Sequence, residues 1–304
     1  MTHNYQLILG NAFQWMEERT PGTITGIVTD PPYGIVEFDH QHLEKMKAGK
    51  GGIWRIPPSF DGAKRQPLPR FTALDENERT RVAEFFREFG RLCVRVLAPG
   101  GHVLLAGNSF LASLVFSALV EGGLEFRGQI IRKVITLRGG DRPKNAEEEF
   151  PDVCSLPKGH YEPWGLFRAP LPKKMTVAEA LRTYGTGGLR RLPDGLPFPD
   201  LLESGRTAKN EKVGHPSQKP MDLMIQLVRA ILPLGKGVVL DPFAGTGTTL
   251  AAAEINGYSS IGIELNPEYY AIAQKAIPRL IAQAQPNLLL QFLPEHDRSN
   301  SGSS

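Results

Sequence analysis

The chain has 304 residues, 41% of them hydrophobic, with 35 Lys and Arg against 32 Asp and Glu and a net charge of +3. That is enough apolar material for a full-sized core, and it excludes a stapled mini-scaffold and a disordered polyelectrolyte. The two cysteines, Cys93 and Cys154, match no metal or redox spacing and read as packing residues of a reducing compartment.

The opening MTHNYQLILG lacks the basic and then apolar order of a signal peptide. YQLILG (5–10), NAFQWMEE (11–18) and GTITGIVTD (22–30) alternate strand, short helix and strand. Val82, Phe85, Phe86, Phe89, Leu92, Cys93, Val96 and Leu97 recur at offsets of three and four, which predicts an amphipathic helix over Asp75–Leu97, stopped by APGG. HVLLAG (102–107) reads as a buried strand and SFLASLVFSALVE (109–121) as a helix. The latter's FLASLVFSALV is too short and serine-rich to span a bilayer, so a cytoplasmic protein without membrane contact is expected. After Gly122 and Gly123, LEFRGQIIRKV (124–134) is a further strand. From Thr136 to about Gly214 the chain is dense in Gly, Pro, Arg and Lys with no sustained period, and is predicted to be an inserted, loop-rich subdomain. Alternation resumes with MDLMIQLVRAIL (221–232, helix), GVVLD (237–241, strand), GTTLAAAEIN (247–256, helix), YSSIGIEL (258–265, strand) and PEYYAIAQKAIPRLIAQA (267–284, helix). Two blocks of βα units flanking one insert predict an α/β fold, a mostly parallel sheet sandwiched by helices. The tail 291–304 is low in apolar residues and is expected to be disordered.

VVLDPFAGTGTTL (238–250) runs from a β-branched strand into a helix, so Gly245 and Gly247 bring backbone close to a ligand at a helix N-terminus. A P-loop needs a lysine that is absent here, and a dinucleotide fingerprint needs a third glycine where Leu250 stands. The remaining class is a nucleoside without pyrophosphate, its ribose held by an acid at the next strand's end. Glu264, 17 residues beyond Gly247, fits that place. Asp241 adds negative charge that repels phosphate and favours a cationic ligand such as a sulfonium. Glycine-permitted packing beside a surface glutamate is the bland alternative.

TDPPYG (29–34) follows the second strand. Two prolines remove two donors and fix φ, which leaves neighbouring carbonyls outward as acceptors. Asp30 adds a carboxylate and Tyr33 a flat face, a set suited to a planar group bearing NH2. Two acceptors drawing on such protons localise the nitrogen lone pair and ready it for attack. A simple strand-ending turn is the competing reading.

With the tetrapeptide DPPY early and DPFAGTGTT (241–249) late, the chain resembles the permuted β group of DNA amino-methyltransferases, which act on adenine N6 or cytosine N4. The resemblance implies S-adenosylmethionine as cofactor, a seven-stranded sheet with one antiparallel strand (a Rossmann-like methyltransferase fold), and dimers as an expectation from the family. It implies Asp30, Pro31, Pro32 and Tyr33 as catalytic residues and no metal. The implied cofactor contacts are Asn11, where the family has Asp, with Asp30, Ser217, Lys219, Asp241, Pro242, Phe243, Ala244, Gly245, Thr246, Gly247, Thr248, Glu264, Leu265 and Asn266. Ser217 and Lys219 belong to GHPSQKPMDL, whose other reading is a helix start at Pro220. The corresponding organisation is a catalytic half over 1–135 with a DNA-contacting loop at 37–70, a target-recognition insert over 136–214 and a cofactor half over 215–290. The family's cytosine enzymes more often carry Ser in place of the Asp, which favours adenine N6.

A base inside a duplex must be swung out to reach such a site, which requires basic loops on double-stranded DNA. Arg127, Arg132, Lys133, Arg138, Arg142 and Lys144 lie close together, and Lys45, Lys47, Lys50, Arg55, Lys64, Arg65 and Arg70, with Trp54, form a second arm. Arg190 and Arg191 are candidate base readers, Trp164 a core residue. Solvated charge remains the alternative for either run. Competing functions are methylation of RNA or of a protein glutamine, a nicotinamide-dependent oxidoreductase, and a DNA-binding module that has lost catalysis.

Overall fold

The structure, a computed structural model, describes residues 4–32, 76–134, 140, 142–143, 145–204 and 218–283. Tyr33, the 37–70 loop with Trp54, Ser217 and the 291–304 tail lie outside the described residues. The strands are β1 (Tyr5–Leu9), β2 (Ile24–Thr29), β3 (Leu97–Ala106), β4 (Glu125–Lys133), β5 (Tyr161–Arg168), β6 (Leu201–Glu203), β7 (Val238–Asp241) and β8 (Ser259–Glu264). They form one sheet in the order β1-β8-β7-β2-β3-β5-β4-β6. Every pairing is parallel except those of β5, which runs against both β3 and β4.

Alternation along the strands assigns the two faces. Ile27, Val103, Leu105, Phe167 and Leu240 point to a core shared with α1 (Ala12–Glu18), α2 (Glu76–Val96) and α3 (Ala112–Glu121). Their neighbours Val28, Leu104, Trp164 and Val239 point the other way, against α5 (Met221–Ala230), α6 (Thr248–Ile255) and α7 (Pro267–Gln283). The period read for the second helix is the one that buries Val82, Phe86, Phe89, Leu92, Cys93 and Val96. Each such side chain contributes about 1.5–3 kcal/mol of burial, far more than helix propensity does. Cys93 packs as expected, whereas Cys154 is exposed.

Two expectations need correction. The sheet has eight strands rather than seven, the addition being the three-residue edge strand β6. The 136–214 segment also does not stand apart as an insert. It supplies β5 to the middle of the sheet and β6 to its edge, and carries α4 (Val177–Tyr184). Trp164 is accordingly a core residue of the main sheet, fully buried.

Because seven of the eight strands run the same way, their C-terminal ends share one edge. Ligands of open α/β sheets bind outside that edge. The last residue of β4 (Lys133), the first of β5 (Tyr161) and the last of β6 (Glu203) lie on it. The stretch from Ala169 to Asp200 lies on the opposite one.

Candidate active site

Four strand ends line up at the site. Asn11 follows β1, Glu264 closes β8, Asp241 closes β7, and Asp30 with Pro31 and Pro32 follows β2, in the spatial order β1-β8-β7-β2. The β2 and β7 ends, remote in sequence, are thus adjacent, through Gly26 opposite Val239 and Ile27 opposite Leu240.

At the β7 end, Asp241 is buried. Thr29 donates its hydroxyl to Oδ1 (2.7 Å), Thr249 donates to Oδ2 (2.5 Å), and the Phe243 N–H donates to Oδ1 (3.1 Å). Burial still outweighs these three donors and raises the carboxyl to about 6. Asp241 is therefore the clamp that ties the end of β2 to the start of α6, rather than a group lying open to ligand. The glycine loop then turns through Gly245 (φ +52°) and Gly247 (φ +79°). Gly247 caps α6 without any side-chain bond, so the first-turn N–H groups are not taken by a side-chain cap. A Cβ on Gly247 would stand 2.4 Å from Ile277. The close packing that a third glycine provides in a dinucleotide loop is met from the strand instead, since a Cβ on Gly262 of β8 would stand 2.6 Å from Leu250.

Glu264 accepts the Gly245 N–H at Oε2 (2.8 Å) and the Asn266 N–H at Oε1 (2.8 Å), while burial raises its carboxyl. The Leu265 N–H also faces this carboxylate, and three donors against four lone pairs leave acceptor capacity for a hydroxyl. Asn266 caps α7 by accepting the Glu268 N–H (2.8 Å), and Leu265 is exposed beside it. Asn11 caps α1, its Oδ1 accepting from Phe13 (2.9 Å) and Gln14 (3.3 Å), so its amide NH2, not its oxygen, is what remains for a ligand. Pro242, Ala244, Thr246 and Thr248 are buried, and Phe243 is half-buried against Phe85 and Phe89, with ring centroids 6.1 and 5.4 Å apart.

Lys219, expected on the cofactor side, has its ammonium on two carboxylates, Asp30 Oδ2 (2.9 Å) and Glu162 Oε1 (2.6 Å). Glu162 Oε2 accepts from Arg132 (3.2 Å) and from the Trp164 indole (3.2 Å). Charges thus alternate along the sheet edge from β2 to β4, as Asp30, Lys219, Glu162 and Arg132. Burying an ammonium costs several kcal/mol, and at about 3 Å and an effective dielectric near 20 each carboxylate returns about 5 kcal/mol. Burial alone would lower the Lys219 ammonium, but Asp30 and Glu162 together hold it above its ordinary value. The same contacts hold the Glu162 carboxyl below its ordinary value against burial. Sequence reasoning missed Glu162, whose charged partners Lys219 and Arg132 are distant in the chain.

The basic runs divide on inspection. Arg132 is buried in this row and Lys133 pairs with Glu203 (2.7 Å). Arg142 is exposed, while Arg138 and Lys144 lie outside the described residues. Arg190 donates to Tyr258 and Arg191 to the Gly195 carbonyl (2.8 Å), both at the far edge of the sheet. Both candidate base readers thus lie across the sheet from Asp30. Among the described residues, no group of three His, Cys, Asp or Glu is placed to hold a metal, and no helix is long and apolar enough to cross a membrane.

The N6/N4 DNA methylase family matches residues 24–275. The chain belongs to that family. This DNA methylase is 26% identical over 283 residues to the type II methyltransferase M2.DpnII of Streptococcus pneumoniae, covering 92% of this chain and 91% of that one. It is 27% identical over 274 residues to M.HindIII of Haemophilus influenzae, covering 83% and 88%. Its fold matches that of the DNA modification methylase TTHA0409 of Thermus thermophilus, solved with S-adenosyl-L-methionine, at a TM-score of 0.54 and 20% identity over 92% of this chain and 95% of that one. The methylase takes its methyl group from S-adenosylmethionine and acts on DNA. Its cleft fits that cofactor: the acids Glu264 and Asp30 and a helix N-terminus without a lysine suit ribose hydroxyls and a sulfonium rather than a pyrophosphate. The oxidoreductase reading is accordingly dropped.

Proposed function

We propose that this methylase modifies the exocyclic amine of a base swung out of double-stranded DNA, adenine N6 in preference to cytosine N4. The observation that supports it most directly is that Asp30, Pro31 and Pro32 follow β2 beside the β7 end that opens the glycine loop. Glu264 would accept the ribose hydroxyls, the N–H groups following Gly247 and the Asn11 amide would face the rest of the nucleoside, and Phe243 would bound the cleft. The bound cofactor supplies a methyl group on positively charged sulfur, which a nitrogen lone pair displaces directly.

Asp30 accepts one amine proton and a main-chain carbonyl beside Pro31 and Pro32 accepts the other, since neither proline offers an N–H that would compete. The lone pair, otherwise delocalised into the ring, is then localised on nitrogen. Tyr33 stacks on the base. Once methylated the nitrogen carries positive charge and is acidic, so Asp30 or water takes its proton and no histidine is needed. Adenine is favoured because the family's cytosine enzymes more often carry Ser where this chain has Asp30.

The test is transfer of labelled methyl to duplex DNA followed by nucleoside analysis. N6-methyladenine is expected. N4-methylcytosine would replace adenine by the second target of the family, and label confined to RNA would overturn the DNA reading.

A further inference from the structure

We propose that Lys219, anchored by Glu162, is a positioning residue for the Asp30 carboxylate. The inference rests on the reading that Asp30 accepts the substrate amine. Lysine carries four rotatable bonds, and its ammonium does not by itself hold a carboxylate in one orientation. Here the ammonium is pinned from behind. Glu162 divides its two oxygens, giving Oε2 to Arg132 and the Trp164 indole (3.2 Å each) and Oε1 to Lys219 (2.6 Å). The indole ring also lies 5.9 Å from the ammonium, within reach of a cation–π contact.

The anchor is itself fixed by the sheet. Glu162 of β5 is the register partner of Arg132 of β4, and the next pair on the same face, Trp164 opposite Ile130, is buried in the core. The ammonium therefore stands at a point set by two paired strands, and Asp30 Oδ2 meets it at 2.9 Å. A carboxylate anchored at Oδ2 loses its freedom about χ2 and keeps a constant orientation, which is the condition for accepting an amine proton in a near-attack geometry. Adhesion alone does not explain the row, because buried ion pairs are often matched in stability by apolar residues of similar volume. The row ends on the catalytic tetrapeptide, where direction rather than adhesion is in demand.

The test measures labelled methyl transfer to duplex DNA and calorimetric binding of S-adenosylmethionine for Lys219→Gln, Lys219→Arg and Glu162→Gln. Lys219→Gln is expected to lower kcat by about 100-fold while the cofactor Kd changes by less than about threefold, the scale of a misplaced reacting group. Lys219→Arg should recover about tenfold of that loss, and Glu162→Gln, though remote from cofactor and base, should lower kcat by about tenfold. Should Lys219→Gln fail to fold, the other two variants read the same quantities. Wild-type kcat in Glu162→Gln overturns the anchoring, and weakened cofactor binding with kcat intact in the Lys219 variants makes Lys219 a cofactor contact instead. Asp30→Ala serves as control: turnover in that variant sinks the underlying reading, whereas a dead Asp30→Ala beside a fully active Lys219→Gln sinks only the positioning role.

Discussion

Two buried titratable side chains respond to pH with opposite sign, although both sit on the same sheet. The Asp241 carboxyl is raised to about 6 by burial, with Thr249, Thr29 and the Phe243 N–H opposing. Its folded value exceeds its unfolded one, so the folded state holds a proton that the unfolded chain has released between about pH 4 and 6. Burial of Asp241 thus costs stability fully above pH 6, and the cost fades as pH falls. Asp241→Asn, always neutral, should gain on the wild type by up to about 3 kcal/mol between pH 4 and 7. Urea unfolding at both values checks this, and parallel pH curves would refute it.

His102 behaves in reverse. Burial, with Arg168 and Arg127 adding repulsion, lowers its imidazole to about 3, and its Nδ1 has no hydrogen-bond partner among the described residues. The unfolded chain takes up the proton first as pH falls below about 6.5, so this residue withdraws about 1.4 kcal/mol of stability per pH unit down to pH 3. His102→Gln should flatten that limb of the acid-unfolding curve, and an unchanged limb would show that the cost lies elsewhere.

At the scale of elements, the loop between β7 and α6 works because small residues stand where helix and strand approach. Gly262→Ala puts a methyl 2.6 Å from the Leu250 side chain, and should cost about 1–3 kcal/mol of stability. Leu250→Val in the same chain should return part of it, a coupling that a double-mutant cycle in urea measures. This arrangement was half legible in the sequence. Leu250 in the third glycine's place argued against pyrophosphate, but only the register shows that Gly262 takes over the packing. Regular elements were legible wherever periodicity was strong, as in α2, whose apolar offsets became its buried face.

The strand β5 was illegible because YEPWGLFR carries a proline and a glycine, both breakers of a central strand. The structure accommodates Pro163 because its carbonyl, and hence its missing N–H, points towards β3 just past that strand's last residue, where only the Gly107 N–H meets it (2.7 Å). β6, three residues long at an edge, has too few positions to show a period. Asp30, the glycine loop and Glu264 were legible as motifs. Glu162 was not, since an ion row across four strand ends leaves no local pattern.

For the whole molecule, the direction of the strands decides which charges serve DNA. The β4–β5 turn shares the edge with Asp30, while the Arg190 region lies across the sheet. Arg142→Ala should therefore weaken DNA binding and reduce the salt slope of log K by about 1. Arg190→Ala should leave that slope unchanged and lower stability, because it removes the donor to Tyr258. Salt titrations of both variants separate a phosphate contact from a structural tie.

In the proposed function, adjacency of the β2 and β7 ends lets one cleft hold methyl donor and acceptor amine together. The measurement closest to that claim is single-turnover methyl transfer by Asp30→Ala at saturating cofactor, with S-adenosylmethionine affinity measured by calorimetry on the same sample. The account predicts transfer abolished while affinity stays near that of the wild type. Turnover at the wild-type rate, or weakened cofactor affinity as the sole defect, would contradict it.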